Sequence, residues 1–173
     1  MKSCFSIAAG TYNLWPQFSL EIPKTIAINS RQCYRITGTN GSGKSSLLKK
    51  LLLPLLKKTD CYYLYLEQQM SAQLFAVKAH AALNNSLHLI EDESQVASYL
   101  LENLQSELQG RKRLCCFVLD ETSQYSRVLD FIREHDVEYV CFIISHDEVA
   151  VDLPVSTLAI NSVDASRSRL ELL

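Results

Sequence analysis

The sequence has no large excess of charge of either sign. Its 17 Lys and Arg face 19 Asp and Glu, for a net charge of −2. That balance excludes a domain that coats nucleic acid through bulk positive charge. The six cysteines include no C-x-x-C pair, and no pair of histidines lies near enough to complete a zinc pattern. Cys61, Cys115, Cys116 and Cys141 lie at or in apolar runs, so the cysteines read as reduced core thiols rather than a disulfide framework. Long hydrophobic runs are also lacking. Leu51–Leu56 is broken by Pro54 and falls far short of the ~20 residues that cross a bilayer. Met1–Ala9 lacks the apolar stretch of a signal peptide, so any membrane association is expected through a partner. No repeat or low-complexity segment interrupts the chain.

What is present suffices for a core. At 173 residues, 47% hydrophobic and 21% charged, the chain reads as a single domain over residues 1–173. Glycine is scarce, with five in all, yet Gly38, Gly41 and Gly43 fall within six residues. That concentration marks a backbone with a special task.

The first 37 residues read as strands: Phe5–Ala9, Phe18–Ile22, Ile26–Ile28 and Tyr34–Thr37. Ser45–Lys58 has helical periodicity, with Leu47, Leu48, Leu51, Leu52 and Leu55 on one side and Pro54 expected to kink or shorten it. Cys61–Leu66 is a Tyr-rich strand, Met70–Leu83 a helix, and Leu87–Ile90 a candidate short strand. Ser94–Leu108 is a helix with Val96, Tyr99, Leu100, Leu104 and Leu108 on its apolar side. Leu114–Leu119 is a continuous apolar run, as a central strand covered on both faces requires. Gln124–Glu134 is helical, Tyr139–Ile144 a buried strand, and Ser156–Ile160 with Arg169–Leu172 a terminal hairpin around Asn161–Ser168. Strands alternating with helices predict an α/β fold with a mainly parallel sheet, to which the early strands add an antiparallel flank.

Residues Gly38-Thr39-Asn40-Gly41-Ser42-Gly43-Lys44-Ser45 match G-x-x-x-x-G-K-[ST], with a strand entering and a helix leaving. Glycines let backbone N–H groups turn toward an anion, and the helix N-terminus adds partial positive charge at the same point. Lys44 can reach the β- and γ-phosphates of a nucleoside triphosphate, and the Ser45 hydroxyl can ligate Mg²⁺. Ser46 is a weaker candidate for a phosphate contact.

The apolar run ends in Asp120-Glu121. Asp120, at the carboxyl end of its strand, can hold Mg²⁺, and Glu121 can act as general base on an attacking water. Tyr139–Ile144 delivers Ser145-His146-Asp147 at another strand end, which would bring His146 near the γ-phosphate. Glu67, Gln68 and Gln69 follow Cys61–Leu66; a Gln there can orient water or Mg²⁺, and Gln68 is favoured over Gln69.

In this order the residues resemble the ATP-binding cassette superfamily. Gly38–Ser45 looks like its Walker A loop, Gln68 or Gln69 like the Q-loop, Phe117–Glu121 like Walker B with the catalytic Glu, and His146 like the switch histidine. Trp15, 29 residues before Lys44, looks like the aromatic that stacks on adenine, with Tyr12 as runner-up. The resemblance implies a P-loop NTPase core with a reduced helical lobe, bound ATP and Mg²⁺, and an ATPase activity. It further implies the nucleotide-binding subunit of a transport system. Such a subunit would be cytoplasmic, peripheral at the inner face of the membrane through a membrane-embedded partner, and a homo- or hetero-dimer of cassettes.

The departures bear on that picture. The family's Leu-Ser-Gly-Gly-Gln-like signature is absent. Its best positional candidate is Glu93-Ser94-Gln95, where Ser94 could cap the following helix and offer a hydroxyl to a phosphate. Ser106-Glu107-Leu108-Gln109 lies too close to the Asp120 strand to open a helix. Lys44 to Gln68 spans 24 residues and Asp120 to His146 only 26, both trimmed relative to transporter ATPases. Two other readings therefore stand beside transport: a cassette ATPase of the DNA-repair and chromosome-maintenance branch, and a regulatory module that holds ATP without hydrolysing it. The clusters Lys49-Lys50, Lys57-Lys58 and Arg111-Lys112-Arg113 read as solvated helix ends, so nucleic acid is not an expected partner.

Overall fold

A computed structural model describes residues 3–84, 90–108, 113–145 and 152–173. Its centre is a run of five parallel strands. In chain order these are β5 (Gln32–Thr37), β6 (Cys61–Leu66), β7 (Leu114–Asp120), β8 (Glu138–Ile144) and β9 (Val155–Asp164). They lie side by side as β9-β5-β8-β7-β6. Beyond β9 the sheet continues through β10 (Arg167–Leu172), antiparallel to β9, then β3 (Phe18–Ile22) and β2 (Gly10–Trp15). β1 (Ser3–Ile7) and β4 (Ile26–Asn29) pair separately as an antiparallel ribbon. The fold is thus α/β with a mainly parallel sheet and an antiparallel flank.

Among the described residues four helices cover this sheet: α1 (residues 44–56), α2 (Ser71–Leu83), α3 (Val96–Leu108) and α4 (Tyr125–Glu134). The alternation within β7 shows how. Cys115, Phe117 and Leu119 face a core shared with Val77, Tyr99, Leu101, Val128 and Phe131 from α2, α3 and α4. Cys116 and Val118 face the opposite core, with Leu47, Leu48, Leu52 and Leu56 of α1 and Ile7, Ile26 and Ile28 of the ribbon. A strand buried on both faces needs no polar side, which accounts for its unbroken apolar run. The described cysteines are all free thiols, and burial pushes the Cys115 thiol up to about 11.

Several expectations are corrected. Gly10–Trp15 forms a strand that its polar pattern hid, because β3 offers it a partner in the register Tyr12↔Leu20. Pro54 lies two residues before the end of α1, which stops at Leu56 rather than at the expected Lys58. The Leu47–Leu52 segment widens into a π turn in which Leu53 N–H bonds to Leu48 O, and the helix runs on through Pro54 as the α segment Leu53–Leu56. The terminal hairpin is longer than its apolar residues suggested, leaving only Ala165-Ser166 between β9 and β10. Ser94 is not the cap of the third helix. Asp92 takes that role, accepting from Ser94 N–H (2.8 Å) and Ser94 Oγ (2.6 Å), and Glu93–Gln95 forms a 3₁₀ turn leading into α3. Of the candidate strand Leu87–Ile90, residues 87–89 lie outside the described residues, and Ile90 is buried.

Candidate functional site: a phosphate loop facing a buried carboxylate

The loop between β5 and α1 depends on its glycines. A Cβ on Gly38, at φ +153°, would lie 2.6 Å from both Ile160 O and Ser42 Oγ. One on Gly43, at φ +100°, would lie 2.8 Å from the Phe18 ring, so strand β3 rests directly on the loop. Gly43 also precedes α1 without a side-chain cap, leaving the first-turn N–H groups for an external acceptor. Inside the loop, Ser42 Oγ is buried and has no hydrogen-bond partner among the described residues. Lys44 Nζ donates to Gly38 O (2.9 Å) and Thr39 O (3.1 Å), closing the loop on itself. Thr39 and Asn40 are exposed on its outer curve. Among the described residues, an ammonium held by two neutral carbonyls, a buried hydroxyl with no partner and an uncapped helix start form a cradle that fits a chain of phosphates.

Across from the loop stands Asp120. β8 separates β5 from β7, yet the carboxyl ends of the two outer strands converge: Ser45 Oγ donates to Asp120 Oδ1 at 3.0 Å. Asp120 is buried, and that burial raises its carboxyl above the usual carboxylate range, opposed by the Ser45 hydroxyl and by nearby Lys49. Tyr65 Oη lies 3.4 Å from Asp120 Oδ2. A hydroxyl and a carboxylate at this separation, beside a phosphate cradle, form the donor set expected of a Mg²⁺ ion that also takes phosphate oxygens and water. The residues present fit both groups.

Glu121 follows with φ +51°, a left-handed conformation that costs a non-glycine residue about 1–3 kcal/mol. Its N–H bonds to Ile144 O (3.0 Å), so the ends of β7 and β8 hold it there. Sequence located the residue but gave no sign of the strain. Ser145 is half-buried at the exit of β8, and His146 lies outside the described residues.

Trp15 meets α1 at the loop. Its Nε1 donates to Ser46 Oγ (2.8 Å), and Lys50 Nζ sits 4.3 Å from the ring centroid. Tyr12 instead donates to Ala8 O (2.8 Å) and packs toward the core.

Gln68 and Gln69 are both exposed. Gln68 lines a polar cavity of about 330 Å³ with Met70, Glu93, Ser94, Gln124 and Arg127, and no hydrogen bond links it to Ser45 or Asp120 among the described residues. The structure therefore brings it to the Glu93-Ser94 turn. Two further glutamines escaped the sequence reading. Gln73 closes the exit of β6, accepting from Glu67 N–H (2.9 Å) and donating to Tyr65 O (2.6 Å). Buried Gln124 accepts from Ala97 N–H (3.0 Å) and donates to Glu93 O and, at 2.9 Å, to Met70 Sδ. It ties the segment after Glu121 to the start of α3. Nothing in the pattern Thr122-Ser123-Gln124 announces this; only its position three residues after a catalytic candidate could have drawn notice.

The chain matches the AAA domain family over residues 28–143, more than half of its length. That span includes the phosphate loop, Asp120 and Glu121. No curated protein matches. Three of the solved structures that share the fold are as follows. One is a model of ribosome-bound archaeal Pelota and ABCE1 (TM-score 0.58, 15% identity, covering 100% of this chain and 35% of that one). Another is the complex of archaeal ribosomal stalk protein aP1 and archaeal ribosome recycling factor aABCE1 (TM-score 0.59, 14% identity, 98% and 39%). The third is RNase-L Inhibitor (TM-score 0.58, 14% identity, 98% and 39%). The chain spans little more than a third of the length of these proteins. Family match and geometry agree on the loop, and the chain belongs to the AAA domain family of P-loop ATPases, built on the fold of the ATP-binding cassette proteins.

Proposed function

We propose that residues 1–173 form one ATP-binding domain that binds Mg-ATP and hydrolyses it to ADP and phosphate. The observation that carries this is the 3.0 Å contact between Ser45 and Asp120 at the mouth of the phosphate loop. In this reading Lys44 exchanges its two loop carbonyls for β- and γ-phosphate oxygens, and the uncapped N–H groups of α1 take the others. Ser45 and Asp120 hold Mg²⁺, which offsets the charge on the phosphates. Glu121, held in its strained conformation by the bond to Ile144 O, accepts a proton from the attacking water. Gln68 and His146 are assigned to orienting water or Mg²⁺ and to the γ-phosphate on their resemblance to the cassette motifs. Trp15 stacks on the base.

The test is steady-state ATPase combined with sizing in Mg-ATP. Glu121→Gln should lower turnover by about 10²–10⁴ while leaving ATP affinity within twofold, because it removes only the proton acceptor. An accumulated ATP-bound dimer in this variant would support the cassette-dimer reading. Wild-type binding without turnover, and with no change in Glu121→Gln, would instead favour a non-hydrolysing module.

A second reading, the nucleotide-binding subunit of a transport system, has one observation in its favour. Among the described residues no helix is long and apolar enough to cross a membrane, yet α2 exposes two large apolar side chains, Phe75 (79%) and Leu83 (84%). Replacing both with Asp should release the protein from membrane fractions of its native cells without altering its ATPase rate. Unchanged fractionation counts against the transport reading.

A further inference from the structure

The phosphate cradle and the base platform of this site share one hydroxyl. A serine hydroxyl has one proton to donate and two lone pairs to accept with. Ser46 Oγ accepts the indole N–H of Trp15 at 2.8 Å, and its own proton goes to no acceptor among the described residues. Ser46 sits in the first turn of α1, two residues past Lys44. One turn further along, Lys50 covers one face of the same indole from 4.3 Å. The ring is therefore held at its edge and on one face by the helix whose N-terminus forms the cradle. Its other side is open, consistent with 51% exposure.

We propose that Ser46 is a positioning residue that relays phosphate occupancy to the base platform. The hydroxyl keeps the Trp15 indole through a lone pair while donating its proton to a bound phosphoryl oxygen. Donating that proton makes the oxygen more electron-rich and a better acceptor, which tightens the grip on the indole. A phosphate chain in the loop thus fixes the platform before a base arrives, and the ordering cost of stacking falls. This rests on the proposed nucleotide site and adds a direction of coupling within it.

Trp15 is the chain's one tryptophan, so its fluorescence reports the platform alone. The probes are Mg-ATP and base-free inorganic tripolyphosphate with Mg²⁺, with binding measured in parallel by calorimetry. In the wild type, tripolyphosphate should shift or quench Trp15 emission although it carries no base. Ser46→Ala, which suits a helix, should still bind tripolyphosphate yet lose that response, and ATP affinity should fall about five- to tenfold more than tripolyphosphate affinity. Ser46→Thr keeps a hydroxyl and should keep the response. Lys50→Met should keep it too, since the lysine is not the relay. Tripolyphosphate binding without a change in emission, or a response surviving in Ser46→Ala, overturns the relay alone. A response lost equally in Lys50→Met marks general loosening of the indole and also overturns it. If neither ligand binds the wild type, the nucleotide reading fails and takes the relay with it.

Discussion

Around the carboxyl ends of β5 and β7, polar side chains meet polar partners across long stretches of sequence. Ser45 reaches Asp120, Trp15 reaches Ser46, and Lys44 folds over its own loop. Around α2 and α3 the contacts are of another kind. There the helices rest on apolar packing, expose Phe75 and Leu83, and are tied to the sheet's chemistry by Gln124. One region is arranged to meet a ligand and the other to stay attached. The two should therefore fail differently: substitutions at the loop should cost binding first, and substitutions in the helical lobe should cost stability first.

The largest effect is expected at Lys44. Lys44→Ala removes two charge-assisted contacts worth ~1.5–3 kcal/mol each, so Mg-ATP affinity measured by calorimetry should fall about a hundredfold or more, with little change in Tm. Unchanged affinity would break the comparison at its root by removing the loop from the binding site.

Next is Gly38→Ala. A methyl group 2.6 Å from Ile160 O, on a backbone at φ +153°, must displace the loop or β9. Nucleotide binding should be lost, together with about 1–3 kcal/mol of stability by denaturant titration. Gly41→Ala is the control that sharpens the point. No atom lies within 4 Å of its added Cβ, so only its φ of +81° opposes it, and it should cost less on both measures.

Gln124→Ala leaves the Ala97 N–H and the Glu93 carbonyl short of partners in a buried place. It should lower stability by about 2 kcal/mol, or Tm by roughly 4–8 °C, while ATP affinity holds. A drop in affinity instead would show that the lobe and the loop are one unit.

The smallest effect is at the cap of α3. Asp92 is exposed, and its bonds from Ser94 hold its carboxylate below the usual aspartate range. A depressed value means that the cap is at full strength above the ordinary aspartate range and fades as pH falls through the depressed value. Asp92→Ala should lower Tm slightly at neutral pH, and the gap from wild type should close on acidification.

How much of this was legible follows the same division. The glycine spacing, the lysine and the Asp-Glu strand end can be read from residue types because phosphate and Mg²⁺ chemistry admits few alternatives. β7 and β8 could be read because burial on both faces leaves each a run of apolar residues between its ends. What stayed hidden depends on partners distant in sequence. Gly10–Trp15 is a strand only because β3 lies beside it. Gln124 matters only because α3 begins within reach of it. Ser94 yielded the cap to Asp92 because the chain turns two residues earlier than its apolar pattern implied. The strain at Glu121 is set where two strands end together, and no local pattern encodes it.

The widened turn of α1 solves a problem of phase. Leu48, Leu52 and Leu56 recur every four residues and are all fully buried. A four-residue repeat overshoots an α turn of about 3.6 residues, so in a uniform α-helix the three leucines would wind steadily away from the sheet. The same repeat falls short of the wider π turn. With Leu47–Leu52 in one geometry and Leu53–Leu56 in the other, the two errors have opposite sign and cancel. The leucines thereby stay in one straight line against the core while Lys50, within the widened turn, covers the Trp15 ring.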